Sequence, residues 1–222
     1  MRPIIVGVSG LTGASSTAAR AAIAATGPGP ISLTFAGPAV SGGVATFDQP
    51  RRVLLTVNAD EHTVTVTLTG TTFGNQAATE VVTLPSATGG VASVLDYKTL
   101  TSAVSSTGLA STIAIGTTGA AGSPWVYFDP WADPVASIQI DVSGTVNYTV
   151  QQTNDNPNDP TFPVSPQNVT WVSATGVTAS STGAQIGSFS PCPAFARVLI
   201  NSGGTGTAGA TATFIQYSNV PK

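Results

Sequence analysis

Cysteine and histidine are almost absent: Cys192 and His62 are the only ones in 222 residues. One cysteine excludes an internal disulfide framework. One of each excludes a zinc cluster built from Cys and His. A Cys–His nucleophilic pair is arithmetically open, yet no local motif supports it, and Cys192, set between two prolines, reads as a small buried thiol. Charge is scarce as well. Only 8% of the residues are Asp, Glu, Lys or Arg, against ~25% in typical soluble proteins. Seven basic residues and a net charge of −3 argue against nucleic acid, because too few phosphates would be neutralised. Arg51 and Arg52 alone sit together, and we read them as a solvated strand start on a sheet edge. No apolar run approaches the ~18 residues of a membrane-crossing helix. The stretch MRPIIVGVSG is broken by Gly7, Ser9 and Gly10, too soon for a secretory signal. We therefore expect synthesis and use in a cytoplasm, or release by lysis.

What remains is rich in Ala, Val, Ser, Thr and Gly, with 41% apolar residues and few aromatics. Four segments repeat one texture: RRVLLTVNADEHTVTVTLTG (51–70), LTSAVSSTGLASTIAIGT (100–117), VASIQIDVSGTVNYTVQQT (135–153) and ARVLINSGGTGTAGATATFIQ (196–216). Each begins apolar, breaks at Gly, Asn, Asp or Ser, and resumes with side chains alternating at every second position. That period is the strand period, and the turn chemistry makes each copy a β-hairpin candidate. The predicted class is all-β, with two antiparallel β-sandwich or sandwich-like domains in tandem, at 31–122 and 123–222. The Gly/Ala/Ser-rich TGAAGSP (118–124) marks the boundary. Ahead of them, residues 1–30 read as an extended or partly helical N-terminal arm. In it PIIVGV precedes ASSTAARAAIAAT (14–26), the one stretch with credible helix propensity.

Candidate chemistry is thin. Asp129 and Asp133 flank Pro130-Trp131-Ala132, and Asp155 and Asp159 flank Asn156-Pro157-Asn158. Such carboxylates can hold calcium, but the alternating ligands and bidentate Glu of a calcium loop are missing. We prefer them as turn residues closing on their own backbone; a glycosidase acid pair is weaker still. Trp125, Tyr127, Phe128 and Trp131 form the densest aromatic group, read as a buried plug in preference to a sugar platform. The sequons at Asn147 and Asn168 are chance matches in a Thr-rich chain. No phosphate loop, dinucleotide fingerprint, nucleophile elbow or metalloprotease helix is present. We expect no enzyme activity, no catalytic or metal site and no cofactor. The long loop NDNPNDPTFPVSPQN (154–168), with four prolines, cannot be a central strand and has the length of functional or contact-making loops.

The stretches GGVATFDQPRRVLLTV, TVTLTGTTFGNQAATEVVTL, SPWVYFD, SGTVNYTVQQTNDNPND and FARVLINSGGTGTAGATATFIQ resemble a family of small virion proteins of tailed bacteriophages. The resemblance spans most of 37–217 and rests on strand-and-turn texture. It implies two linked β-domains joined at Ser-Pro-Trp, serving as head-decoration, collar or tail-associated components in a virion. The implied partners are copies of the chain itself and other phage structural proteins (capsid, portal or tail components), with no nucleic acid and no membrane. A receptor- or glycan-binding appendage is the alternative. The expected interface residues are Ile4, Ile5, Val6, Arg20 and Ile23 of the arm, lying across a neighbouring subunit. To these we add Trp125, Tyr127 and Trp131, and Asp155, Pro157 and Phe162 of the Pro-rich loop.

Overall fold

A computed structural model describes residues 3–132, 134–157 and 159–216. Sixteen strands follow in chain order: β1 (Ile4–Ser9), β2 (Ser15–Ala24), β3 (Ile31–Ser32), β4 (Val40–Ser41), β5 (Val44–Val57), β6 (Thr65–Thr71), β7 (Ala77–Thr83), β8 (Gly89–Ser105), β9 (Thr112–Gly122), β10 (Val126–Tyr127), β11 (Ala136–Ser143), β12 (Val146–Thr153), β13 (Val172–Ser173), β14 (Gln185–Phe189), β15 (Phe195–Gly203) and β16 (Gly209–Gln216). The class is all-β with antiparallel sheets, and two short 3-10 turns are the only helical pieces among the described residues. The chain divides into two compact units. One is Gly13–Ala121; the other joins Met1–Thr12 to Gly122–Lys222. In sequence, the first thus interrupts the second.

In the inserted unit the ladder runs β9-β5-β8-β6-β7, with β2 on β9, β3 on β8 and β4 on β5. Alternation does what the period demands: Val53, Leu55 and Val57 of β5, Val66 and Leu68 of β6, and Ile113 and Ile115 of β9 are all buried in one core with Phe35, Phe47 and Leu100. The predicted helix within 14–26 is strand β2. An Ala-rich segment this short has a weak helical nucleus, whereas β9 offers it a ready-made ladder. Small side chains suit the place. Ala18, Ala19 and Ala25 are buried, and Gly116 of β9 has no Cβ to strike the backbone of Ser15 and Ser16 passing over it.

The other unit has two ladders. One runs β1-β16-β11-β14; the other runs β13-β12-β15, with β10 also on β15. Val8, Ala210, Ala212, Phe214, Ile138 and Ile140 fill the buried side of the first, and Val146, Tyr148, Val150, Val198 and Ile200 are buried on the second. Phe128, Phe189 and Phe214 meet with ring centroids 5.5–6.1 Å apart.

Two expectations are corrected here. Residues 4–9 and 15–24 do not stand off as an arm: β1 pairs along its length with β16, and β2 pairs with β9 of the same chain. Within them Arg20 is buried, its Nη1 donating to the Thr34 carbonyl at 2.8 Å, while Ile4, Ile5 and Ile23 are exposed and Val6 is half-buried. The four repeated segments are also not hairpins. In each, the two strands fail to pair with one another: β8 lies between β5 and β6, β5 lies between β8 and β9, and the pairs β11/β12 and β15/β16 hand the chain from one ladder to the other. Alternation and a turn are common to a hairpin and a crossover; the partner across the ladder is chosen by distant residues. Local hairpins form elsewhere: β4–β5 closes through Gly42-Gly43 with Ser41 opposite Val44, and β6–β7 runs in register from Thr65↔Thr83 to Thr71↔Ala77.

Candidate functional site: two exposed surfaces and a set of buried ions

The first surface is the loop end of the Met1–Thr12/Gly122–Lys222 unit. Strand β10 ends at Tyr127, and Asp129-Pro130 turns the chain outward. The Asp129 carboxylate then accepts the Trp131 N–H at 2.9 Å. The same device recurs in the Pro-rich loop, where the Asp159 carboxylate accepts the N–H groups of Thr161 and Phe162, each at 2.8 Å. The Phe162 and Thr161 bonds hold the Asp159 carboxyl below its ordinary pKa. The two loops flank one segment. Phe128 N–H donates to the Ala194 carbonyl and Cys192 N–H to the Pro134 carbonyl, while the Asn154 side chain accepts the Ala194 N–H. Trp131 is 89% exposed and Phe162 81% exposed.

The expected interface residues therefore separate. Trp131 and Phe162 are displayed, and Tyr127 is exposed with its ring 5.3 Å from Phe195. Trp125 turns inward, its ring 4.9 Å from Trp171 and 5.9 Å from Phe195. Arg197 covers Trp171 at 4.3 Å. Asp155 is half-buried and bonds the Thr170 N–H at 2.6 Å; Pro157 is half-buried too. Asp129 and Asp159 accept backbone N–H groups two or three residues on, the chemistry of turns, whereas Asp155 ties down a residue fifteen positions away. Asp133 and Asn158 lie outside the described residues. Among the described residues no three of His, Cys, Asp and Glu gather as metal ligands. His62 pairs with Asp60 at 2.6 Å on an exposed turn.

The second surface is the outer side of the sheet β1-β16-β11-β14. Register places Ile5, Thr213, Gln139 and Ile186 in one row, with Ile215, Ser137 and Ser188 beside it and Gly7, Thr211 and Asp141 on the other flank. Ile5 and Ile186, at the two edges, are 62% and 79% exposed. Asp141 is the single charge in these rows. β1 itself, Ile-Ile-Val-Gly-Val-Ser, pairs on one side only among the described residues and carries no charge or proline. Natural edge strands are normally blunted by such residues.

The inserted unit contributes buried ions that alternation did not foresee. Arg51, read as a solvated edge residue, is 1% exposed on β5, between β8 and β9, and forks onto Asp48. Its proximity to the acid three residues back was visible in the sequence; its bond to the Thr118 carbonyl was not. Glu80 of β7 is buried, and its two oxygens accept the N–H groups of Val94 and Leu95 at 2.6 and 3.0 Å. These groups brace backbone where β8 departs from regular pairing with β5.

Burial raises the Glu80 pKa, outweighing the two N–H bonds that lower it. The folded chain then keeps a proton that the unfolded chain has released, so stability falls as pH climbs from the ordinary Glu range through the raised value. Denaturant unfolding across that window is expected to show this loss. The pH slope flattens in Glu80→Gln; an unchanged slope in the variant refutes the assignment.

No family model, no curated protein and no solved structure matches this chain.

Proposed function

We propose that this chain is a non-catalytic structural subunit of a tailed-phage virion, assembling in many copies on the head or around the head–tail junction. Its partners are copies of itself and other virion proteins, and its place of synthesis is the host cytoplasm. The observation that supports this reading is the open side of the sheet β1-β16-β11-β14. Its rows are Ser, Thr, Gly, Gln and Ile with one acid, and they end in an edge strand without a charged gatekeeper. Such an edge favours pairing with another strand. A nearly neutral face lacks the like-charge repulsion that keeps copies apart. The virion assignment itself rests on the family resemblance of the strand-and-turn segments.

Mass spectrometry of gradient-purified phage particles is expected to find the chain in multiple copies per particle. Sedimentation of the purified chain is expected to show association that grows with concentration. Ile5→Lys places a charge on the edge strand while leaving the buried Val8 row untouched, and it is expected to weaken association by about ten-fold or more, equivalent to ~1.4 kcal/mol. A chain absent from particles, or one that stays monomeric at every concentration, overturns the reading. A second reading, a receptor-binding appendage, draws on the exposed Trp131 and Phe162 rings.

A further inference from the structure

We propose that the loop end of the Met1–Thr12/Gly122–Lys222 unit docks a basic segment of another protein, with Trp131 and Phe162 as aromatic anchors for its Lys and Arg side chains.

Three observations converge on that occupant. The first is presentation. Exposed Trp and Phe on slack loops would lose much of their freedom on binding. Here each ring follows an aspartate whose carboxylate ties the backbone at the ring's own residue: Asp129 to Trp131, Asp159 to Phe162. Both loops are further anchored to the 192–194 segment through Phe128, Cys192 and Asn154. Rings held this way are preorganised, which lowers the entropy lost on docking.

The second is charge. From Gly122 to Ala196 every charged residue is an aspartate: Asp129, Asp133, Asp141, Asp155 and Asp159. The one described cation of this unit is Arg197, which is buried over Trp171. Among the described residues, the charges on the two loops that carry the rings are therefore Asp129, Asp155 and Asp159, all acidic, a bias that disfavours nucleic acid and anionic lipid and attracts cations.

The third is the chemistry of the contact. A guanidinium or ammonium group over an aromatic face is attracted by the ring's quadrupole, and Trp is the best such face. The unit already uses this pairing internally, in Arg197 over Trp171 at 4.3 Å. A neutral sugar would stack on the rings but would gain nothing from the aspartates.

The full chain titrated with a labelled (Arg-Gly)5 peptide, read by fluorescence anisotropy, tests the proposal. Saturable binding is expected, weakening as salt is raised. The double variant Trp131→Ala/Phe162→Ala is expected to lose about ten-fold or more in affinity with its thermal midpoint unchanged, since both rings are exposed. Asp141→Asn, on the sheet face and outside the loops, is expected to bind as the parent does. (Glu-Gly)5 and maltoheptaose should not bind. Equal affinity in the double variant, an equal loss in Asp141→Asn, or binding of the neutral oligosaccharide in place of the basic peptide would each overturn it. Neither self-association nor particle content enters this titration, so it stands or falls separately from the assembly reading.

Discussion

Arg51→Ala is expected to destabilise the inserted unit by about 3–5 kcal/mol, the usual loss when one partner of a buried ion pair is removed. The guanidinium is nearly inaccessible. Its Nε and Nη2 donate to the two Asp48 oxygens at 2.6 and 2.7 Å, and Nη1 donates to the Thr118 carbonyl at 3.2 Å. The planar fork matches a carboxylate, and no other side chain repeats that match. The site also has a structural task. The β5–β8 register breaks between Thr46 and Arg51, where Pro50 has no N–H to give the ladder. Lys98 Nζ donates to the Phe47 and Asp48 carbonyls at 2.7 and 2.9 Å, and the Asp48 carboxylate accepts the Gln49 N–H at 2.8 Å. Arg51 and Lys98 thus hold an irregular four-residue stretch against two neighbouring strands. For a unit of this size such a loss lowers the thermal midpoint by more than about 10 °C. Arg51→Lys keeps the charge without the fork and is expected to recover only part of it. The paired change Arg51→Met/Asp48→Leu, which removes both charges together, should lie well above Arg51→Ala. Calorimetry and urea unfolding decide the matter; an Arg51→Ala midpoint within a degree or two of the parent would refute the role.

The same residue shows how far the sequence could be read. Alternation in Val64–Leu68 or Ala136–Ile140 announces strands, and the scarcity of His, Cys and charge narrows the chemistry, so the all-β class was legible. Pairing was not. The turn at Asn58-Ala59-Asp60 reads as a hairpin because local chemistry cannot show that β8, some thirty residues on, inserts between β5 and β6. Arg51-Arg52 reads as a solvated pair because the strand that covers Arg51 and supplies the Thr118 carbonyl is distant in the sequence. The aromatic group 125–131 reads as one cluster, yet the turn at Asp129-Pro130 splits it. Trp125 and Phe128 pack inward on Trp171, Phe195, Phe189 and Phe214, and Trp131 is left outside. Phe162 was named only as a member of the Pro-rich loop; the Asp159 turn that holds its backbone became visible in the structure.

Gly116→Val is expected to dislodge strand β2. A Cβ at this position would collide with the Ser15 carbonyl oxygen and with the backbone of Ser16. Backbone on both sides cannot yield as a flexible side chain would, so the strain exceeds the ~1–3 kcal/mol of ordinary overpacking. The cheapest escape is for β2 to leave β9. That movement uncovers Ala18 and Ala19, together with Arg20, whose guanidinium is now sealed against the Thr34 carbonyl. A buried arginine in a paired strand resists trypsin; an arginine in a released segment does not. Cleavage after Arg20 is therefore expected to be slow in the parent and at least about ten-fold faster in Gly116→Val, because protection tracks the free energy of local opening. The experiment also bears on whom the segment serves. A strand paired within its own chain is protected equally at every protein concentration, whereas a segment lent to a neighbour loses protection on dilution as the complex dissociates. Concentration-independent protection in the parent, abolished by Gly116→Val, is the expected pair of results. Protection at Arg20 that survives the valine, or fades on dilution of the parent, would show that β2 is held by something other than β9.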